Sequence, residues 1–227
     1  MTTGADIAAV AALVGDPARA NILSELLGGR ALAAGELARA AGVAPSTASE
    51  HLAKLTEAGL TERIPQGRAR YYRLASPEVA AMLESIMTVA ADPEPRPRAA
   101  PRVPAGLKKA RTCYDHIAGE LGVAIADALL AQGAVVLHPD GGELTEAGAE
   151  LLARLGIAPP GGRARRPWCR ACLDWSERRP HLSGTLGAQI LGRSLELGWV
   201  TRAPTGRALA VTPKGRAGFR ELLGVDA

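Results

Sequence analysis

Five prolines fall within twelve residues at Pro93-Glu-Pro-Arg-Pro-Arg-Ala-Ala-Pro-Arg-Val-Pro104. Proline has no backbone N–H and holds φ near about −65°, so neither a helix interior nor a central strand can run through such a stretch. It reads as a semi-rigid, extended linker. It cuts the 227-residue chain into domains over 1–90 and 106–227, joined by a linker over 91–105. Two domains of this size fit the usual range of roughly 100–200 residues or slightly less.

The cut gives the charge a location. The whole chain carries +4, but residues 1–92 sum to −2, residues 93–112 to +5 and residues 113–227 to +1. The basic charge is concentrated in the linker, where it either solvates an extended arm or contacts phosphate. A hydrophobic fraction of 47% with 22% charged residues excludes wholesale disorder. Only 3% aromatic residues argues against a single-strand or RNA binder that stacks bases on rings. Three cysteines are too few for a secreted disulfide scaffold. The N-terminus lacks the basic flank of a signal peptide, and no apolar run is long and uncharged enough to span a membrane. A soluble protein of the cytoplasm is expected.

In the first domain, Asp16-Pro17 supplies an N-cap and a proline at the first helical position of a helix over 18–27, which Gly28-Gly29 stops. A helix over 34–41 ends at Gly42, and the segment Val43-Ala-Pro-Ser-Thr-Ala-Ser-Glu-His-Leu-Ala-Lys-Leu-Thr-Glu-Ala-Gly59 supplies a second helix. Two helices joined by a short glycine-containing turn form the helix-turn-helix pattern. In the second of them Ala48, Leu52 and Leu55 make the buried stripe, leaving Ser46, Thr47, Ser49, Glu50, His51 and Lys54 for a DNA groove. Residues 60–74 read as a β-hairpin around Gln66-Gly67 that carries Arg63, Arg68, Arg70 and Arg73. Of these, Arg68 and Arg70 are the expected phosphate contacts. An apolar helix over 77–89 closes the domain.

Residues 5–90 resemble the ArsR-type winged helix-turn-helix regulators. The motifs are Leu37-Ala-Arg-Ala-Ala-Gly-Val43, Ser46-Thr-Ala-Ser-Glu-His-Leu-Ala-Lys-Leu-Thr-Glu-Ala-Gly-Leu60 and Gly67-Arg-Ala-Arg-Tyr-Tyr-Arg-Leu74. The resemblance implies a homodimer formed by the first and last helices, double-stranded operator DNA as partner, repression of transcription, Ser46–Lys54 as recognition helix and Gln66–Tyr72 as wing tip. Many metal-sensing members of that family carry cysteines in the third helix and His/Asp pairs in the last. Here the third helix is Glu36-Leu-Ala-Arg-Ala-Ala41, and residues 77–91 hold neither His nor Cys. A sensor would then lie in the C-terminal half, which the resemblance does not cover.

That half contains a repeat. Residues 116–135 align without a gap on residues 181–200, matching His116/His181, Gly119/Gly184, Leu121/Leu186, Gly122/Gly187, Ile125/Ile190 and Gly133/Gly198. The copies extend over 111–160 and 168–227, each reading as helix, strand, turn, strand, helix. The expected class is therefore mainly α with small β-hairpins: an N-terminal winged helix-turn-helix, then two winged-helix-like repeats forming a sensing or dimerising domain.

All three cysteines stand at the heads of the repeats. Cys113 and His116 form a CxxH pair, and Cys169 and Cys172 form a CxxC pair. A CxxH at a helix start would place both ligands on one face, and CxxC would complete a tetrahedral Cys₃His site for zinc or another transition metal. Asp174 and His181 are the substitutes if one of the four is not a ligand. Four other readings stay open. Cys169 and Cys172 form a redox switch beside Cys113, a structural zinc serves a constitutive DNA binder, the helices enclose a small-molecule effector, or His116 and His181 are matching core or capping histidines without a metal. No Walker loop, GxGxxG, GxSxG or HExxH is present, so a regulator rather than an enzyme is expected.

Overall fold

A computed structural model of the chain describes residues 4–66, 69–90, 105–138, 140–159 and 166–227. It divides into two compact units, Met1–Leu83 and Glu84–Ala227.

The first unit begins with helices α1 (Gly4–Val14) and α2 (Pro17–Leu26). The Asp16 side chain accepts from the Arg19 backbone N–H at 2.9 Å, which is the cap that Asp-Pro foretells. Strand β1 (Leu32–Ala33), which the sequence reading lacked, leads into α3 (Ala34–Ala41); Gly42 then caps α3 in the left-handed conformation at φ 68°. The next helix, α4 (Pro45–Glu57), buries Ala48, Leu52 and Leu55 against Ile22, Leu23 and Leu26 of α2 and Leu37 of α3. Strands β2 (Thr61–Gln66) and β3 (Ala69–Leu74) pair antiparallel from Thr61↔Leu74 to Gln66↔Ala69. The sheet order is β1-β3-β2, with Leu32 opposite Tyr72, so β1 joins the wing to the helices.

Helix α5 (Pro77–Ala90) runs one residue past its expected end and crosses the division between the units. Within the second unit, buried Glu84 of this helix takes a hydrogen bond from Arg207 Nη1 at 2.5 Å. The linker expected over 91–105 lies outside the described residues except Ala105, which instead opens α6 (Ala105–Lys109).

The second unit then runs hairpin, helix, hairpin, helix, and runs it twice. First come β4 (Arg111–Cys113), β5 (His116–Ala118), α7 (Glu120–Ala131), β6 (Val135–His138), β7 (Gly141–Leu144) and α8 (Glu146–Arg154). Next come β8 (Arg170–Leu173), β9 (Pro180–Ser183), α9 (Gly184–Glu196), β10 (Val200–Arg202), β11 (Leu209–Val211) and α10 (Pro213–Leu223). The leading hairpin of each run is absent from the sequence reading. Each hairpin is a separate two-stranded sheet. The packing is reciprocal: α7 lies on β9, and α9 lies on β5. Small residues allow it. A Cβ on Gly187 of α9 would stand 2.9 Å from the His116 Cβ on β5, and one on Gly122 of α7 would stand 3.5 Å from the His181 Cβ on β9. The core between them holds Leu121, Ile125, Leu129, Leu186 and Ile190, with Trp199 and Phe219 edge-on at 4.9 Å.

Candidate functional site

On α4 the proline at N1 starts the helix with its first amides unpaired, and the buried stripe fixes its rotation. Ser46, Ser49, Glu50 and Lys54 are exposed, while Thr47 and His51 are half-buried. The Ser49 hydroxyl donates back to the Pro45 carbonyl at 2.9 Å, and His51 Nδ1 sits 3.5 Å from Arg19 Nη1. His51 therefore touches α2 as well as the outer face. On the wing, Arg63 and Arg70 are exposed, whereas Arg73 is paired with Glu62, its cross-strand neighbour. Arg68 lies outside the described residues.

In the second unit the structure brings together Cys113, His116, Cys172 and His181, whose ligand atoms all lie within 4.8 Å of one another. Three of these are expected ligands and the fourth is a named substitute. Cys169 is not among them. It is buried, its Sγ would be 2.9 Å from a Cβ on Gly142, and its carbonyl accepts from the Gly142 N–H at 2.9 Å. Residues 170–173 are strand rather than helix, so the i,i+3 geometry that would have put Cys169 beside Cys172 does not exist. Burial pushes the Cys169 thiol up to about 11, so it remains protonated in the core. The expectation of Cys113 and His116 on a helix start is likewise corrected.

Each half of the cluster is instead a cross-strand pair. Cys113 is the register partner of His116 in β4–β5, and Cys172 is that of His181 in β8–β9. Directly opposed residues share one face of a hairpin, which aims both side chains at the same point. The first hairpin turns through Tyr114 at φ 57°, a left-handed conformation that costs a bulky residue about 1 kcal/mol or more. The second spans a longer loop over 174–179, which is why the Cys–His spacings differ in sequence.

The two sulfurs are 3.9 Å apart, close to the roughly 3.8 Å separation set by two Zn–S bonds of about 2.3 Å in a tetrahedron. The His116 and His181 rings lie 5.0 Å apart, centroid to centroid. His116 Nε2 and both ring nitrogens of His181 are buried without a hydrogen-bond partner, although His181 is fully buried. Each buried, unpaired polar atom costs about 1–3 kcal/mol, and these four side chains together could hold a metal ion.

The electrostatics agree. Cys172 is held far below the ordinary thiol range by the Cys113 hydrogen bond, then by His116 and His181, while that same bond and burial push Cys113 up. Burial works to lower His116, but Asp115 and Cys172 outweigh it and raise it. Asp174 is not a ligand in this arrangement. It stands behind His181, Oδ2 3.4 Å from Nδ1, and takes Arg111 Nη2 at 2.7 Å and the Gly119 N–H at 2.7 Å. Burial would raise its carboxyl, yet the Arg111 charge and these hydrogen bonds hold it well below the usual range. Beneath the cluster, the apolar space lined by Ile117, Gly122, Ile125, Leu182, Gly187 and Ile190 amounts to about 10 Å³. That is room for one water, not for an organic effector.

The signal for His181 lay in the repeat itself, through its match with His116. The CxxC spacing outweighed it because that spacing is the usual half of a tetrahedral zinc site.

Residues 14–64 match a helix-turn-helix domain family. Over 221 residues the chain is 41% identical to the HTH-type transcriptional regulator YdfF of Bacillus subtilis (strain 168), covering 97% of this chain and 98% of that one. Among solved structures it is similar to the homodimeric winged helix-turn-helix DNA-binding domain Mb0332 of Mycobacterium bovis, at 32% identity and TM-score 0.35 over 38% of this chain and 79% of that chain. It is also similar to HlyU of Vibrio cholerae N16961, at 30% identity and TM-score 0.36 over 39% and 95%. With its identity to YdfF running almost end to end, this chain belongs to the HTH-type transcriptional regulators, and its helix-turn-helix lies in the N-terminal domain beside the β2–β3 hairpin.

Proposed function

We propose that this protein is a metal-responsive transcriptional repressor of the cytoplasm. It binds a double-stranded operator as a homodimer, with α4 in the major groove and the β2–β3 wing on the backbone. Exposed Ile7 on α1 and Ile86 and Val89 on α5 supply apolar surface for the dimer. The second unit consists of two copies of one winged-helix-like module. Cys113, His116, Cys172 and His181 hold zinc or another thiophilic transition metal between the copies, and occupancy of that centre governs DNA binding.

The observation that carries this reading is the set of four buried Cys and His side chains converging from two hairpins, with imidazole nitrogens that nothing else satisfies. The test combines metal analysis of anaerobically purified protein with operator binding before and after chelation. We expect about one metal per chain, its loss from Cys113→Ser, Cys172→Ser and His181→Ala, and its retention in Cys169→Ser. Operator affinity should change at least tenfold with metal. Metal-free wild-type protein, or binding that ignores chelation, would overturn the reading.

The 3.9 Å contact of Cys113 and Cys172 supports a second reading, a thiol switch between these two rather than Cys169 and Cys172. There, both thiols lose a proton and an electron to form one disulfide, and a peroxide is reduced to water or an alcohol. Peroxide-dependent release of DNA from metal-free protein would favour it.

A further inference from the structure

Behind the four ligands stand two carboxylates. Asp115 Oδ1 hydrogen-bonds His116 Nδ1 at 3.3 Å, whereas Asp174 Oδ2 stands at ion-pair distance from His181 Nδ1, 3.4 Å away, without a hydrogen bond. Both contacts face the ring nitrogen away from the ligand role, while Nε2 of each histidine has no partner among the described residues. A neutral imidazole offers one lone pair, and a carboxylate at Nδ1 keeps the proton there and frees Nε2 for a metal.

Neither carboxylate is free to move. Arg166 donates to both oxygens of Asp115, at 2.5 and 2.9 Å, and also to the Gly184 carbonyl at 2.9 Å. Asp174 takes Arg111 and the Gly119 N–H from the first run, together with the Ser176 N–H and hydroxyl at 2.9 and 2.8 Å. The arginines cross over: Arg111 precedes the first Cys–His pair but holds the aspartate of the second, and Arg166 does the converse. Resting on the metal-centre reading above, we propose that Asp115 and Asp174 are positioning residues of that centre. Each orients the histidine of its own hairpin with Nε2 as ligand atom, and each is anchored by the arginine that precedes the other Cys–His pair.

The test is a Co(II) and Zn(II) titration of the full-length chain against a competing chelator. Asp115 is the primary target because its side chain is 28% exposed and tolerates change better than fully buried Asp174. Asp115→Asn and Asp115→Ala should weaken metal binding by about ten- to a hundredfold. Asp115→Glu should recover most of it. The sulfur-to-Co(II) charge-transfer band should keep its intensity, since both cysteines still bind, and the metal-free melting temperature should stay near wild type. Asp174→Asn should act in the same direction; should it fail to fold, the Asp115 series decides alone. Affinity unchanged within twofold in Asp115→Asn and Asp115→Ala would overturn the proposal, as would a lowered metal-free melting temperature with normal affinity. Failure of wild-type protein to take up Co(II) or Zn(II), or normal uptake by Cys113→Ser, would instead overturn the metal centre itself.

Discussion

At the scale of single residues, the exposed wing arginines differ in what they have left to offer. Arg73 spends its guanidinium on Glu62, while Arg70 is exposed on the same strand. Replacing Arg70 with Ala should weaken binding of specific and random duplexes alike and reduce the slope of log affinity against log salt by about 1. Arg73→Ala should leave that slope nearly unchanged. Equal slopes for wild type and Arg70→Ala in a salt titration would remove Arg70 from the phosphate contacts. The buried stripe of α4 was legible, because Ala48, Leu52 and Leu55 recur at the helical period; of the residues this leaves, Ser46, Ser49, Glu50 and Lys54 are exposed, whereas Thr47 and His51 are half-buried. At the Cys/His cluster, legibility was partial. Cys113, His116 and Cys172 stand out as ligand types, but the choice between Cys169 and His181 depends on backbone geometry. A strand pairs Cys172 with the residue across from it, whereas a helix would have paired it with the residue three back.

Among the elements, caps and close approaches repeat from the first run of the second unit to the second. The Thr145 hydroxyl accepts from the Gly148 N–H and donates to the Gly133 carbonyl, and the Thr212 hydroxyl does the same with Gly215 and Gly198. A Cβ on Gly148 would meet the Ala134 carbonyl oxygen at 1.9 Å, and one on Gly215 would meet that of Trp199 at 2.0 Å. Backbone cannot yield as a side-chain tip can, so Gly215→Ala should cost at least the 1–3 kcal/mol or so typical of overpacking. Thr212→Ala should cost roughly 0.5–2 kcal/mol through loss of the cap. Denaturant melts at a common m-value check both; a Gly215→Ala loss smaller than that of Thr212→Ala would contradict the close contact. Helix bounds were readable to within a residue or two wherever Asp, Thr, Pro or Gly punctuates them. The short strands β1, β4, β5, β8 and β9 were not, because two to four residues are too few to display a period of two.

For the whole molecule, two units with separate cores predict two thermal transitions. Metal should raise only the one belonging to Glu84–Ala227, by the free energy of mass-action binding, about 2.7 kcal/mol at a hundred times Kd. Calorimetry with and without Zn(II) checks this; a uniform shift of both transitions, or of neither, would contradict it. The sequence by itself determined the helix-turn-helix with its wing, the internal match of 116–135 to 181–200, and the residue types available for a metal. These depend on local rules: the restriction of φ by proline, side-chain periodicity and capping chemistry. Only the tertiary structure decided that Cys172 pairs with His181, that Cys169 is core, and that Asp174 stands behind a ligand instead of being one. Those outcomes turn on strand register and on two helices crossing onto each other's hairpins. The register is a pairing across one hairpin whose short strands display no period of their own, and the crossing is packing between residues some sixty positions apart, a distance over which no local periodicity carries information.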